Sequence, residues 1–243
     1  MMPSRLGGTL EHAIKTSRGR IDFWQHVFNT LAPANFCEIG VYEGFFAEKI
    51  LSSCASLEKY YMIDPWKNLA TWNKPANQSD GQFAQIHATA MQRTERFADV
   101  RHVLRGTTKS MIHQIPDHSL DAVYIDGDHT LRGITIDLAL VHGKTAPGGY
   151  ICGDDFTRNI WQHGPEYDPS VVFPYATYFA EAHDLPIITL PWNQFMIIND
   201  SAHGYELLDL GGYADLGAAD IYLPPPSLAN LWQAARRLFT ARR

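Results

Sequence analysis

Two short runs carry the residues best suited to chemistry: Asp126-Gly127-Asp128-His129 and Asp154-Asp155. Each closes an apolar, strand-like stretch, 120–126 and 150–154. In a parallel sheet these two ends lie on the same edge, so four carboxylates and an imidazole converge. Left unpaired in a cleft, that many negative charges repel strongly. A divalent cation is the simplest compensation, and all-oxygen ligands suit magnesium, manganese or calcium rather than zinc. His129 is compatible with a transition metal, but a lone histidine more often serves as a base or a hydrogen-bond partner. The alternative is an acidic loop solvated at the sheet edge.

A second constellation precedes the first. Glu38-Ile39-Gly40-Val41-Tyr42-Glu43-Gly44 closes the strand-like run that begins at Phe36. Gly40 lets the backbone turn sharply and approach a ligand, and Gly44 opens the next helix, with Tyr42 between them in the expected contact region. The spacing is not the G-x-G-x-x-G of a dinucleotide site, whose amides surround a pyrophosphate. Glu38 argues in the same direction, because a carboxylate there repels a pyrophosphate and suits a positively charged ligand end. The next strand ends in Asp64, 26 residues after Glu38. It can accept hydrogen bonds from both hydroxyls of a ribose, or it can cap a loop. After the third strand, Gly106-Thr107-Thr108-Lys109-Ser110 offers small polar side chains that either ring an adenine edge or, at Thr108 above all, cap a helix.

The elements that must position these residues follow from periodicity. Residues 9–32 carry Leu10, Ile14, Ile21, Trp24, Val27, Phe28 and Leu31 at roughly helical spacing, ended by Pro33. Strands are expected at 36–40, 60–64, 100–104, 120–126 and 150–154, with helices at 45–57, 83–97 and 130–142 between them. Pro147-Gly148-Gly149 reads as a tight turn, 66–82 and 157–170 as loops, and 170–183 as a helix. Strands at 186–190 and 194–199 flank Pro191-Trp192-Asn193 as a hairpin. The expected class is α/β: a doubly wound, mostly parallel seven-stranded sheet of Rossmann-like type with a C-terminal antiparallel hairpin. The expected organisation is a helical segment 1–32, a catalytic α/β unit 33–200, and an extension 201–243 with an amphipathic helix through Leu228, Leu231, Trp232, Ala235 and Leu238.

Composition narrows the partners. With 45% hydrophobic residues and a net charge of -6, the chain can bury a core and has no global positive field for nucleic acid. No apolar run is long enough for a membrane span. Cys37, Cys54 and Cys152 show no metal-ligand spacing and read as small buried hydrophobes, which suits a reducing compartment and makes the cytoplasm the default. Trp66, Trp72, Trp161, His163, Tyr167 and Trp192 are candidates for a pocket wall or for ordinary packing; Arg132 and Arg158 are candidate anion contacts or surface arginines.

From Phe36 to Phe156 the chain resembles class I S-adenosylmethionine-dependent methyltransferases. More narrowly, it is similar to the metal-dependent small-molecule O-methyltransferases of the macrocin and aminocoumarin-sugar type. C-E-I-G-V-Y-E-G, Y-M-I-D-P-W, Y-I-D-G-D-H-T and A-P-G-G-Y-I-C-G-D-D-F carry the likeness. The resemblance implies S-adenosyl-L-methionine at Glu38, Gly40, Tyr42, Gly44, Asp64, Thr107 and Asp126. It implies magnesium, or another divalent cation, on Asp126, Asp154 and Asp155, which keep the family's 28- and 29-residue separations. His129, with Asp128 close behind, takes the acceptor's proton. Leu131 departs from the aromatic residue common in relatives and leaves the shape of the acceptor pocket open. The implied partner is a hydroxylated small-molecule acceptor, and a homodimer is a further expectation. Rival readings are a nicotinamide-dependent oxidoreductase and a non-catalytic binding protein on the same fold.

Overall fold

The computed structural model describes residues 4–224. Its strands are β1 (Asn35–Ile39), β2 (Lys59–Asp64), β3 (Arg101–Arg105), β4 (Leu120–Ile125), β5 (Thr145–Gly153), β6 (Ile187–Leu190), β7 (Gln194–Ile198) and β8 (Leu207–Asp209), the central ones apolar and the edge strand β3 largely polar. They form one sheet in the order β3-β2-β1-β4-β5-β7-β6-β8. The first five are parallel neighbours, β7 is antiparallel to both β5 and β6, and β8 runs parallel to β6. This is the mostly parallel, Rossmann-like sheet expected, with one more strand than the seven foreseen. β8 has only three residues and is half exposed, so no apolar run announces it.

Alternation along the strands supplies two cores. Phe36, Ala122 and Tyr124 face one layer, while Cys37, Ile39, Val123 and Ile125 face the other. Helices α1 (Ser4–Thr16), α2 (Arg20–Leu31), α3 (Phe45–Ser53) and α4 (Asp80–Arg93) cover the first face; α5 (Thr108–Met111), α6 (Leu131–His142) and α7 (Val172–Ala182) cover the second. A short α8 (Ala218–Tyr222) follows. The three cysteines are free and buried. Among the described residues no helix is long and apolar enough to cross a membrane.

Three local readings differ from the sequence. The single helical run at 9–32 is broken between Thr16 and Arg20, so two helices form. α4 begins earlier than expected because Ser79 caps it: Ser79 Oγ accepts from the Gln82 amide and Gln82 Oε1 accepts from the Ser79 amide, a capping box. Pro147-Gly148-Gly149 lies inside β5, where the register slips between Leu120 and Ala122 and Gly148 takes φ +79°. The expected turn is therefore an irregularity absorbed by the strand. The amphipathic helix expected around 228–238 lies outside the described residues.

The position of α2 matters most for the site. Trp24 is fully buried, stacked on Phe28 at 4.9 Å and edge-on to Tyr124 at 5.6 Å. Its Nε1 donates to Gln194 Oε1 at 2.7 Å. Arg20, one helical turn earlier, is thereby carried to the carboxyl edge of the sheet.

At that edge Gly40 has φ +84°, and an added Cβ would stand 2.0 Å from the Asp126 carbonyl oxygen. Neither the left-handed backbone nor the contact with main chain can relax cheaply. Gly40→Ala is therefore expected to lower stability by about 3 kcal/mol or more, or to prevent folding; a urea midpoint equal to that of wild type would contradict the close approach.

Candidate active site

A cavity of about 1000 Å³ opens at the carboxyl ends of β1, β2 and β4. Its lining includes Glu38, Gly40, Tyr42, Asp64, Thr107, Asp126, Asp128, His129 and Asp155, so nearly every residue singled out in the sequence faces one space. Gly44 and Asp154 are not on its wall. Gly44 sits in the left-handed region at the start of α3 and its amide donates to the Val41 carbonyl, closing the turn.

Asp64 braces that turn. Its Oδ2 accepts from the amides of Val41 and Tyr42, both at 2.9 Å, and its Oδ1 accepts from the Trp66 amide at 2.7 Å. Burial pushes its pKa up against these three amides and Arg105. Loop capping is thus realised, and Oδ1 keeps spare acceptor capacity toward the cavity. Glu38 is buried, and desolvation drives its pKa well above the usual carboxylate range despite the hydrogen bond from the Tyr60 hydroxyl at 2.7 Å. A cation placed beside Glu38 would relieve that penalty.

Thr107, not Thr108, occupies the N-cap position of α5, and its hydroxyl pairs with Ser110 Oγ at 3.1 Å. The Thr108 hydroxyl turns inward to Asp137. Of the six aromatic candidates, Trp72 and His163 reach the cavity wall. Trp66 packs beneath the turn and donates to the Tyr42 carbonyl at 2.8 Å. Trp161, Tyr167 and Trp192 lie elsewhere, Trp192 against Phe23 and Trp161 bonded to the Tyr222 carbonyl. Arg132 lines the cavity, while Arg158 stacks over Tyr213 and does not.

The acidic strand ends are compensated from within the chain. Arg20 Nη1 donates to Asp126 Oδ2 at 3.0 Å and to the Tyr124 hydroxyl at 3.2 Å, and it is ion-paired with Asp154. His129 Nδ1 is ion-paired with Asp155. Asp154 also accepts from Gln194 Nε2 and from the Asp155 amide. Burial raises Asp126 to about 6 against the pull of Arg20 and His129. Burial also opposes the charged form of Asp155, but the hydrogen bond and charge of His129 win and hold it at about 2. His129 moves up in turn, because Asp155 and Asp126 outweigh its desolvation. Asp155 adopts φ +55°, a backbone conformation in which its amide meets the Asp154 carboxylate.

Asp126, His129 and Asp155 each present a ligand atom, all within 4.8 Å of one another. His129 Nε2 is buried, has no hydrogen-bond partner, and lies 3.7 Å from Asp126 Oδ1. These three fit a divalent ion with mixed nitrogen and oxygen ligands. Asp154, expected as the third carboxylate ligand, has its oxygens engaged by Arg20, Gln194 and the Asp155 amide. Asp128 Oδ1 accepts from the Thr130 amide at 3.0 Å at the entry to α6.

Sequence reasoning missed Arg20 and Lys74. Lys74 is buried in the 66–79 loop and donates to the Asp168 carbonyl at 2.7 Å and to Ser170 Oγ at 2.9 Å. Burial lowers its pKa against the charges of Asp155, Asp128 and Asp168. Neither residue lies in a motif. The signal for Arg20 was its place one turn before Trp24 on the apolar face of a helix; Lys74 had none beyond a polar loop.

A sheet of this order, with a glycine turn after β1 and acidic ends on β4 and β5, is the arrangement expected of a class I methyltransferase. Residues 37–156 match the model of a family described as a methyltransferase domain. That segment is accordingly a class I, S-adenosylmethionine-dependent methyltransferase domain, and it resembles small-molecule O-methyltransferases. No curated protein matches the chain in sequence. Among solved structures, the O-methyltransferase from Bacillus cereus in complex with S-adenosylhomocysteine is 17% identical, with TM-score 0.54 over 82% of this chain and 92% of that one. A methyltransferase of Podospora anserina bound to S-adenosylhomocysteine is 13% identical, with TM-score 0.52 over 81% and 88%. TomG, an O-methyltransferase of Streptomyces achromogenes in complex with S-adenosylmethionine, is 12% identical, with TM-score 0.51 over 82% and 90%. At these identities the likeness is one of fold.

Asp137 on α6 gives a pH test of the packing beneath the site. Burial pushes its carboxyl up to about 7, opposed by the Thr108 hydrogen bond and helped by the charge of Asp128. A raised carboxyl favours folding fully below pH about 4, and that contribution is lost as pH rises through about 7. Asp137→Asn removes the titration. Relative to wild type, the variant should gain stability between pH 5 and pH 8.5, by at most about 3 kcal/mol. Thermal unfolding across that range checks this, and a pH-independent difference would contradict it.

Proposed function

We propose that the protein transfers a methyl group from S-adenosylmethionine to a hydroxyl oxygen of a small molecule such as a sugar, a phenol or another natural product. The observation that carries this reading is that one cavity is lined both by the Gly40–Tyr42 turn with Asp64 and by the His129–Asp155 pair. The bound ligands of the Bacillus cereus and Streptomyces enzymes, both named O-methyltransferases, support the donor and the kind of acceptor atom.

The donor supplies an electrophilic methyl on a sulfonium sulfur. Glu38 would face its charged methionine end, Gly40 would admit it close to the main chain, Asp64 Oδ1 would hold the ribose, and Thr107 would border the adenine. Tyr42 and Gly44 shape the turn, and Asp126, on the cavity wall, would lie between donor and acceptor. His129 holds a proton on Nδ1 toward Asp155 and accepts the acceptor's proton at Nε2, so the imidazolium formed is stabilised by that carboxylate. Asp128 is the weaker candidate base, because its carboxylate already serves the Thr130 amide. A divalent cation such as magnesium or manganese, held among Asp126, Asp154 and Asp155, would lower the pKa of a bound hydroxyl and leave His129 Nε2 free to act as base. Holding the two reactants in line is the protein's main contribution to rate. Three buried thiols suit the cytoplasm, and we place the protein there.

Isothermal titration calorimetry tests the reading first: S-adenosylmethionine is expected to bind at one site per chain, and NAD not at all. Absence of heat with S-adenosylmethionine would refute it. On a hydroxylated acceptor found by screening, His129→Ala should lower kcat by about 10²–10⁴-fold while donor affinity changes less than about threefold. Unchanged turnover would remove His129 from the mechanism.

A further inference from the structure

We propose that Arg20 is the resident cation of the acidic strand ends and keeps a divalent metal out of the Asp126–Asp154 carboxylate pair. The inference rests on reading these carboxylates as a cation site and not on the identity of the acceptor.

The guanidinium stands on two of the three carboxylates that the sequence assigned to a metal. Its Nη1 contacts Asp126 Oδ2 and the Asp154 carboxylate, with the Tyr124 hydroxyl as a third partner. This is not a surface side chain that has found the nearest charge. Trp24, one turn along α2, is fully buried and bonded to Gln194 Oε1. Gln194 Oε1 also accepts from the Tyr124 hydroxyl at 2.7 Å, and Gln194 Nε2 donates to Asp154. Arg20, Tyr124, Gln194 and Asp154 therefore close a ring of hydrogen bonds that Trp24 ties to the core. The same network that fixes α2 aims Arg20 at the acidic cluster.

A second, independent observation points to a missing ligand beside it. His129 Nε2 is buried without a partner and lies 3.7 Å from Asp126 Oδ1, on the side of that carboxylate turned away from Arg20. Asp126 is thus shared: one oxygen on the guanidinium, the other facing an unsatisfied nitrogen. A divalent ion chelated by Asp126 and Asp154 together would sit within a few ångströms of the guanidinium, and like charges at that range exclude one another. Entry of a metal into the full carboxylate set requires Arg20 to swing out. Its side chain is 37% exposed and follows Gly19, so the way out is toward solvent.

The test measures Mn²⁺ binding to the full chain by calorimetry and by the electron paramagnetic resonance signal of free Mn²⁺. Arg20→Gln should bind Mn²⁺ at least tenfold more tightly than wild type, and Arg20→Lys, which keeps the charge, should stay near wild type. Adding Asp154→Asn to Arg20→Gln should reverse the gain. Equal or weaker Mn²⁺ binding by Arg20→Gln would overturn the proposal while leaving a metal site in place. Failure of both proteins to bind Mn²⁺ at millimolar concentration would overturn the metal reading and this proposal with it, independently of the S-adenosylmethionine titration. If Arg20→Gln does not fold, a crystal structure of wild type with Mn²⁺ decides. Arg20 withdrawn from Asp126 and Asp154 supports the proposal, and Arg20 still on both carboxylates beside a bound ion overturns it.

Discussion

At the carboxyl edge of the sheet the Asp126 amide donates to the Ile39 carbonyl at 2.7 Å, and Gly40 passes so close to the Asp126 carbonyl that no Cβ fits between them. This contact between the ends of β1 and β4 makes the cofactor turn and the acidic cluster two walls of one cavity. The parallel register maintains it, pairing Glu38 with Tyr124 and Ile39 with Ile125. Asp64 then fixes the turn from the β2 side through the amides of Val41 and Tyr42. Ligand sites at the carboxyl ends of strands are general in open α/β sheets. Here the reason is visible in particular atoms: a glycine that must be glycine, and a carboxylate that spends most of its hydrogen-bonding capacity on main chain.

The same closeness concentrates negative charge, and the chain answers it in three ways. Glu38 leans on the Tyr60 hydroxyl and on desolvation, which favours its neutral form. Asp155 is held ionised by His129. Asp126 and Asp154 share Arg20. Each device leaves something poised: a carboxyl that gains by meeting a cation, an imidazole whose second nitrogen has no partner, and a guanidinium on carboxylates that a metal would also favour. Pairs of titratable groups whose environments push them in opposite directions are typical of sites that move protons. His129 and Asp155 are such a pair.

The fold was largely legible in the sequence because its central strands are apolar runs closed by Gly, Asp or Pro, as in Tyr60–Pro65 and Leu120–Gly127. The edge that carries the candidate site was legible for the same reason, since parallel strands put their carboxyl ends together. What failed to show was long-range or weakly patterned. β8 is three half-exposed residues held by pairing with β6. The capping box at Ser79 was hidden inside a polar stretch. Arg20 reaches Asp126 across 106 positions, and its place one turn before Trp24 does not reveal that partner. Asp154 and Asp155 look equivalent in sequence, yet a positive φ at Asp155 turns their carboxylates to different partners, Arg20 and His129. Side-chain direction at a strand end depends on main-chain torsions that composition does not carry.

A crystal structure of the full chain with S-adenosylhomocysteine tests most directly whether donor and acceptor chemistry share this one cavity. The ribose is expected within hydrogen-bond distance of Asp64, the amino-acid end beside Glu38, and the sulfur facing the space in front of His129. A nucleoside bound anywhere other than the Gly40–Tyr42 turn, or a sulfur directed away from His129 and Asp126, would contradict that arrangement.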